Sequence, residues 1–501
     1  MQLATVRTRI QSGLHASPVR VEVHVSAGLP SLSISGLVEA AVKESRDRVC
    51  AAIRNSGLEV PDGRIIVSLA PADLPKSGSR FDLPIALGIL AASGQVPTDK
   101  LAGCEFFGEL GLSGALQSVP ALLPSAMYAL RGSCCVVVPA KCAAEMSLLS
   151  KGNVFLADNL LDVVRFLHGA TDLPRPPSLE AAAGDAAAAG YYDDFADVSG
   201  QHHARRAMLI AAAGGHNILL SGSPGTGKSM LARRLPALLP SLGDAEALES
   251  AALYSLAGQT LPDWRRVPFR APHHTASSVA LVGGTAKPKP GEISLAHRGV
   301  LFLDELPEYS RAALEALREP LETGCITIAR AGQSCEFPAR FQLVAAMNPC
   351  PCGYAGDPGH NCHCSPDLVR RYQSRISGPL LDRIDLMVAL TRSPLSFAER
   401  LERGETSASM RAAIAPARSA QNQRGCPNAR LSAEAIREYC WPDSEGKRLL
   451  EKAANCYGLS LRASDRILRV ARTIADINGS ETINAPAVAE ALSFRTMIGR
   501  T

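Results

Sequence analysis

The sequence predicts a mixed α/β chain in three parts, with a layered α/β domain in the middle, and three observations lead to that expectation. Apolar runs of the kind that form buried parallel strands, at residues 217–221, 300–303 and 341–346, alternate with helical segments; such alternation is the pattern of a sheet covered by helices. Residues 171–189 carry Pro174, Pro176 and Pro177 and then an alanine-rich stretch with little periodicity, as a linker does. Beyond Pro394 apolar residues fall at helical spacing, as in Ile467, Leu468, Ala471, Ile474 and Ala475. The expected division is an N-terminal domain over 1–170, a linker over 171–196, the core over 197–394 and a helical C-terminal domain over 395–501.

Composition sets limits on function. In 501 residues, 46% are apolar and 20% charged, which excludes a disordered chain. A net charge of +4 is too small to mark a nucleic-acid binder as a whole, so any such contact comes from local patches. The first residues hold Arg7 and Arg9 with no apolar stretch behind them, unlike a secretory signal. The longest apolar run, 83–96, is broken by Pro84 and Gly88 and is shorter than the ~20 residues of a membrane span. A cytoplasmic protein without membrane partners is expected, its fourteen cysteines read as reduced thiols and a metal site rather than a disulfide framework.

The chemistry begins after residue 220. Gly222, Ser223, Pro224, Gly225, Thr226, Gly227, Lys228 and Ser229 fit the phosphate-binding loop at every required position, between a strand and a helix. The glycines let backbone N–H groups turn toward phosphates, Lys228 reaches the β- and γ-phosphates of ATP, and Ser229 ligates Mg²⁺. The apolar run 300–303 delivers Asp304 and Glu305 to a strand end, where α/β sheets place ligands. Asp304 is expected to hold Mg²⁺ through water and Glu305 to polarise the attacking water. Asn348, at the end of the run 342–347, is placed to orient that water; by itself an Asn before Pro349 reads as a turn former.

The phosphate loop, the string 291–299 leading into Asp304 and Glu305, and the string 347–353 (Met-Asn-Pro-Cys-Pro-Cys-Gly) together resemble the ComM/YifB branch of the Mg-chelatase-like AAA+ ATPases, over nearly the whole chain. That resemblance implies an AAA+ P-loop core with a C-terminal helical lid, a homo-hexameric ring and, for the competence-associated members, a branch-migration helicase acting on single-stranded or branched DNA. It also nominates Arg383, in the segment 380–385, as the arginine finger reaching a neighbouring subunit's γ-phosphate, and Arg462 as a second sensor. Arg375 and Arg466 are nearby competitors. Val198 and Gln201 resemble the segment that lies along the adenine. The segment 327–332 is similar to the hairpin that related rings project into their channel, which makes Arg330 a DNA-contact candidate, since a basic tip follows phosphates without reading bases. Lys287 and Lys289 belong to a Pro- and Gly-containing insertion expected to form a second channel loop.

Cys350, Cys352, Cys362 and Cys364 form two close thiol pairs bridged by a glycine-containing loop, a set that can hold a tetrahedral structural Zn²⁺. The C-x-C spacing is tighter than usual, His360 and His363 can each replace a thiol, and reduced thiols in a surface loop are the alternative. The N-terminal strings 76–84 and 108–114 resemble the Lon/S5-like α+β domain that precedes the motor in this family. A Lon-type protease needs a serine activated by a lysine; Arg80 and Leu123 stand at the matching positions, so peptidase chemistry is not expected. Two motor readings remain, a DNA motor and a chelatase-like motor remodelling a protein partner, and they differ in whether DNA changes ATPase activity.

Overall fold

The computed structural model describes residues 3–132, 135–178, 192–261, 263–284, 288–330, 333–392 and 404–495. Half of the expected linker, 179–191, thus falls outside the described residues, as do Lys287 and the side chain of Arg330. The chain forms two compact units, Met1–Ala189 with Leu248–Trp264, and Gly190–Ala247 with Arg265–Thr501.

The first unit is built on a seven-stranded mixed sheet. Its strands are β1 (Leu3–Ser12), β2 (His15–Ser26), β3 (Ser31–Ser35), β4 (Arg64–Ala70), β5 (Cys104–Phe106), β8 (Cys135–Pro139) and β9 (Val154–Ala157), and a small hairpin adds β6 (Glu109–Leu110) and β7 (Leu116–Gln117). The spatial order is β3-β4-β2-β1-β5-β8-β9. β1 and β2 pair antiparallel with alternate residues buried, the period-2 pattern of a sheet with one covered face. The apolar run that begins at Leu83 is the helix Asp82–Ala92, every residue of which is buried. A Cβ at Gly88 would stand 2.5 Å from Val23 Cγ2, so glycine lets this helix lie directly on the sheet. Among the described residues no helix is long and apolar enough to cross a membrane.

One pair corrects the reading of all cysteines as thiols: Cys104 and Cys135 are disulfide-bonded. They are register partners on the neighbouring parallel strands β5 and β8, with Cα atoms 4.4 Å apart, a proximity that sequence separation hides.

The second unit holds an all-parallel five-stranded sheet of β10 (Ile218–Gly222), β11 (Phe269–Arg270), β12 (Val300–Leu303), β15 (Gln342–Met347) and β16 (Leu386–Leu390), ordered β11-β12-β15-β10-β16. β10, β12 and β15 are buried throughout, as strands covered on both faces must be. An antiparallel hairpin of β13 (Cys325–Arg330) and β14 (Gln333–Pro338) stands apart from the sheet. The C-terminal part is helical, with helices Ser407–Gln423, Ala433–Tyr439, Ser444–Tyr457, Leu461–Ile477 and Ala485–Ser493. Ile467, Leu468, Ala471, Ile474 and Ala475 are all buried, in one core with the strands and the helix His202–Gly214. The edge of the sheet where β10 begins is tied by Asn217, whose amide donates to Arg383 O (2.9 Å) and accepts from Leu343 N (2.8 Å).

Candidate nucleotide site

The strand order sets the site. β15 lies between β10 and β12, and all three run the same way, so the loop after β10, Asn348 after β15 and the acidic pair after β12 emerge side by side. The loop turns tightly: Gly225 and Gly227 have φ of 79° and 91°, in the region that favours glycine. A Cβ at Gly222 would meet Leu390 O at 2.6 Å, so the chain can pass there only without a side chain.

Lys228 gathers three acceptors. Its Nζ donates to Gly222 O (2.6 Å), Ser223 O (3.0 Å) and Asn348 Oδ1 (3.2 Å). Burial lowers its pKa from the ordinary lysine value, opposed by the charges of Asp304 and Glu305. Ser229 Oγ donates to Asp304 Oδ2 at 2.7 Å, so the residues nominated for Mg²⁺ already share one spot, with the hard oxygen donors that this ion takes. Glu305 is half-exposed, has a left-handed backbone with φ 52°, and places Oε2 3.0 Å from His274 Nδ1. Sequence reasoning missed His274; two adjacent histidines shortly after Phe269–Arg270 were the available signal.

A cavity of about 810 Å³ opens beside the loop. Val198 and Gln201 line it with Gly225, Thr226 and Gly227, and Gln201 is fixed by a bond from Nε2 to Thr391 O (2.9 Å). The opposite wall is Asp357, Pro358 and Gly359, from the loop between the two cysteine pairs, together with Arg392. Arg392 Nη2 donates to Pro224 O at 2.9 Å and its Nε lies 3.7 Å from Asp357 Oδ2. The Asp357 carboxyl is held below the usual carboxylate range, first by a hydrogen bond from Ser223 of the phosphate loop and then by one from Gly359 N–H. Arg392 and Asp357 were not legible in the sequence, because their roles come from contacts across more than a hundred residues.

The four cysteines converge. Sγ atoms of Cys350, Cys352 and Cys362 lie 3.2 to 3.7 Å apart, and with Cys364 all four fall within 4.8 Å. A tetrahedron with Zn–S bonds of about 2.3 Å has edges of about 3.8 Å, so the set fits zinc. The Cys352 thiol is pulled down to about 6, first by the Tyr354 backbone N–H and then by Cys350. Cys362, although the Cys364 backbone N–H favours its thiolate, is pushed up to about 12 by burial and the neighbouring thiols; four thiolates need a cation among them. His360 is turned away, stacking on Tyr354 at 4.6 Å and meeting Arg392 through Nδ1 at 3.3 Å.

Arg383 and Arg462 do not enter this cavity. They line a second, polar cleft of about 560 Å³ with Glu322, Arg466 and Arg469. Arg383 Nη2 pairs with Glu322, its Nη1 donates to Pro379 O (2.8 Å), and its Nε has no partner among the described residues. Arg375 lies elsewhere, with Nη1 on Glu308 Oε2 at 3.0 Å.

The base of the second insertion lies beside β13. Gly283 pairs with Pro290 at the base of the insertion that carries Lys289, which is exposed, and a Cβ at Gly283 would stand 3.0 Å from Ile328 Cδ1 of β13. In the first unit, Arg80 is buried and donates to Ser125 Oγ (3.1 Å) and Pro120 O (2.8 Å), and burial pushes it down to about 10; Leu123 is fully buried.

Comparison with known proteins places the chain. Residues 194–397 match the family model for magnesium chelatase, subunit ChlI, residues 21–141 that for subunit ChlI of Mg-chelatase, and residues 404–495 that for its C-terminal region. The YifB protein of Salmonella typhimurium is 48% identical over 502 residues, covering 99% of this chain and 98% of the relative. The competence protein ComM of Haemophilus influenzae is 48% identical over 503 residues, with the same coverage of each. The magnesium-chelatase 38 kDa subunit of Cereibacter sphaeroides is 29% identical over 152 residues, 26% of this chain and 45% of the relative. A nucleotide-type loop set in an all-parallel sheet and full-length similarity lead to one assignment: the chain belongs to the ComM/YifB branch of the Mg-chelatase-like AAA+ ATPases.

Proposed function

We propose that this protein is an ATP-hydrolysing, homo-hexameric motor that moves single-stranded or branched DNA and aids its homologous integration; a competence protein is among its full-length relatives. The observation that carries the ATPase reading is the meeting of Lys228, Ser229, Asp304 and Asn348 at the ends of three adjacent parallel strands. ATP is the substrate, its phosphates against Lys228 and the loop N–H groups and its base toward Val198 and Gln201. Ser229 and Asp304 would hold magnesium, which when bound would supply positive charge to the phosphates. Glu305 takes a proton from the attacking water while the Asn348 amide orients it, since phosphoryl transfer asks the protein mainly for positioning and charge stabilisation.

The finger role falls to Arg383, acting on a neighbouring subunit. Its backbone is bonded to Asn217, which precedes β10, whereas the phosphate loop follows β10. Five strand residues put about 16 Å between those edges, so Arg383 faces away from its own chain's ATP site. Arg462 shares its cleft and takes the second-sensor role from the same side. Cys350, Cys352, Cys362 and Cys364 would hold a structural zinc, which would stiffen the wall formed by Asp357 to Gly359.

DNA contact is assigned to Arg330, Lys287 and Lys289, because the base of the second insertion lies against Ile328 of β13 and a ring would repeat basic residues on these two segments as a collar. The test is ATPase and strand-exchange activity with and without single-stranded and forked DNA. ATPase indifferent to both would replace this reading by a motor that remodels a protein partner.

A further inference from the structure

Just ahead of β10 lies a buried run of polar side chains that the ATPase scheme does not use. His216 is fully buried, with Nε2 2.7 Å from Thr473 Oγ1 and Nδ1 3.4 Å from Asp385 Oδ2. A carboxylate, an imidazole and a hydroxyl in that order can activate a nucleophile. Here Thr473 is 0% exposed and its oxygen also meets Asn428 Nδ2 (3.1 Å) and Arg469 O (3.0 Å), so no substrate reaches it. What the set can do is hold segments together.

Its two ends belong to different elements. Asp385 lies two residues after Arg383, immediately before β16; its Oδ2 accepts from Asn217 N–H at 3.1 Å, and Arg383 O accepts from Asn217 Nδ2 at 2.9 Å. Burial works to raise the Asp385 carboxyl, yet His216, then Arg466, then the Asn217 N–H hold it below the usual carboxylate range. Thr473 belongs to the helix Leu461–Ile477, which brings Arg462 and Arg466 to the cleft of Arg383. Gly214 makes the meeting possible, because a Cβ there would stand 2.4 Å from His216 Nε2 and 2.5 Å from Thr473 Oγ1. The centre is tied to β15 as well: Gln342 Nε2 donates to His216 O at 2.7 Å and Leu343 N to Asn217 Oδ1 at 2.8 Å. Breaking such a set from one side is costly, since the partner left behind stays desolvated.

We propose that His216 sets the arginine finger: by bridging Asp385 to Thr473 it fixes the segment of Arg383 against the helix that carries Arg462, so that both guanidinium groups meet the neighbouring subunit's phosphates together. This rests on the reading of Arg383 as a finger acting on the next subunit. His216 is a positioning residue, acting through Asp385 and touching no nucleotide. The phosphate loop of its own chain follows the far end of β10, so loosening the bridge leaves that chain's ATP binding intact and slows hydrolysis at the neighbouring site.

The test is nucleotide titration and steady-state ATPase of full-length rings of the parent, Thr473→Val, Thr473→Ser, Asp385→Asn and Arg383→Ala, each alone and mixed with Lys228→Ala subunits. Thr473→Val, which keeps the shape and removes the hydroxyl, should bind ATP as the parent does and lower kcat roughly ten- to hundredfold. The upper figure is what a displacement of about 1 Å can cost, and it stays below the roughly 10³ to 10⁵ carried by a finger. Thr473→Ser should recover the parental rate. Asp385→Asn, which breaks the bridge from the finger side, should show the same split between binding and turnover and keeps the test open if Thr473→Val fails to assemble. Lys228→Ala subunits, whose own bridge is whole, should rescue Thr473→Val in mixed rings, and Thr473→Val added to Arg383→Ala should lower the residual turnover no further. An unchanged kcat in Thr473→Val and Asp385→Asn, or a loss matched by weaker ATP binding and not rescued in mixed rings, overturns the bridge. Arg383→Ala separates the failures: full turnover in that variant removes the finger reading and the bridge with it, whereas its inactivity beside an unaltered Thr473→Val removes the bridge alone.

Discussion

Lys228→Ala and Glu305→Gln should fail in opposite ways. Lys228 Nζ is almost buried and holds Gly222 O, Ser223 O and Asn348 Oδ1 within 3.2 Å, so truncation removes the one ammonium at the centre of the loop and leaves three acceptors facing the phosphates. Losing one partner of a desolvated charged contact costs about 2–5 kcal/mol, which at about 1.4 kcal/mol per decade is a rise in nucleotide Kd of roughly thirty- to several-thousandfold. Glu305→Gln keeps shape and the cradle and removes only the proton acceptor; general-base loss lowers turnover by about 10² to 10⁴ while binding holds. Fluorescent-nucleotide titration and phosphate release, measured on both proteins, give the four numbers needed. Tight binding by Lys228→Ala or normal turnover by Glu305→Gln refutes the assignment of these two side chains.

Three further outcomes follow from the same geometry. Arg383→Ala should bind ATP as the parent does yet lose hydrolysis, and co-assembly with Lys228→Ala subunits should restore part of it at mixed interfaces; rings that mix without rescue move the finger to Arg375. The purified protein should carry about one zinc per chain, and chelation should weaken nucleotide binding, because the cysteine-flanked loop supplies Asp357, Pro358 and Gly359 to the cavity and Gly353 packs on Pro224; metal analysis of a reduced, chelator-free preparation that finds none removes the zinc. Arg330→Ala should keep basal ATPase and ring assembly and lose DNA stimulation and strand movement, with a shallower salt dependence of binding and little change in sequence preference; unwinding of branched DNA at the parental rate sends the search to Lys287 and Lys289.

The sequence by itself determined the chemistry that is local in the chain. A phosphate loop lies within eight consecutive residues and needs a strand before it and a helix after it, so its glycines, Lys228 and Ser229 were legible without any contact information, as was the buried strand ahead of Asp304. The helical face of Ile467, Leu468, Ala471, Ile474 and Ala475 was readable for the same reason, since burial follows a 3.6-residue period. What depended on tertiary structure was everything set by which strands lie side by side. The order β12-β15-β10 brings Asn348 to Lys228 across 120 residues, and the tie from Asn217 puts Arg383 at the far edge of the sheet from its own phosphate loop. The Cys104–Cys135 pair, the Arg392 and Asp357 wall and the His274 contact with Glu305 arise in the same way. None leaves a period or a spacing in the sequence, because a parallel sheet joins strands through long crossovers and the residues that meet at its edges are fixed by strand order, not by their distance along the chain.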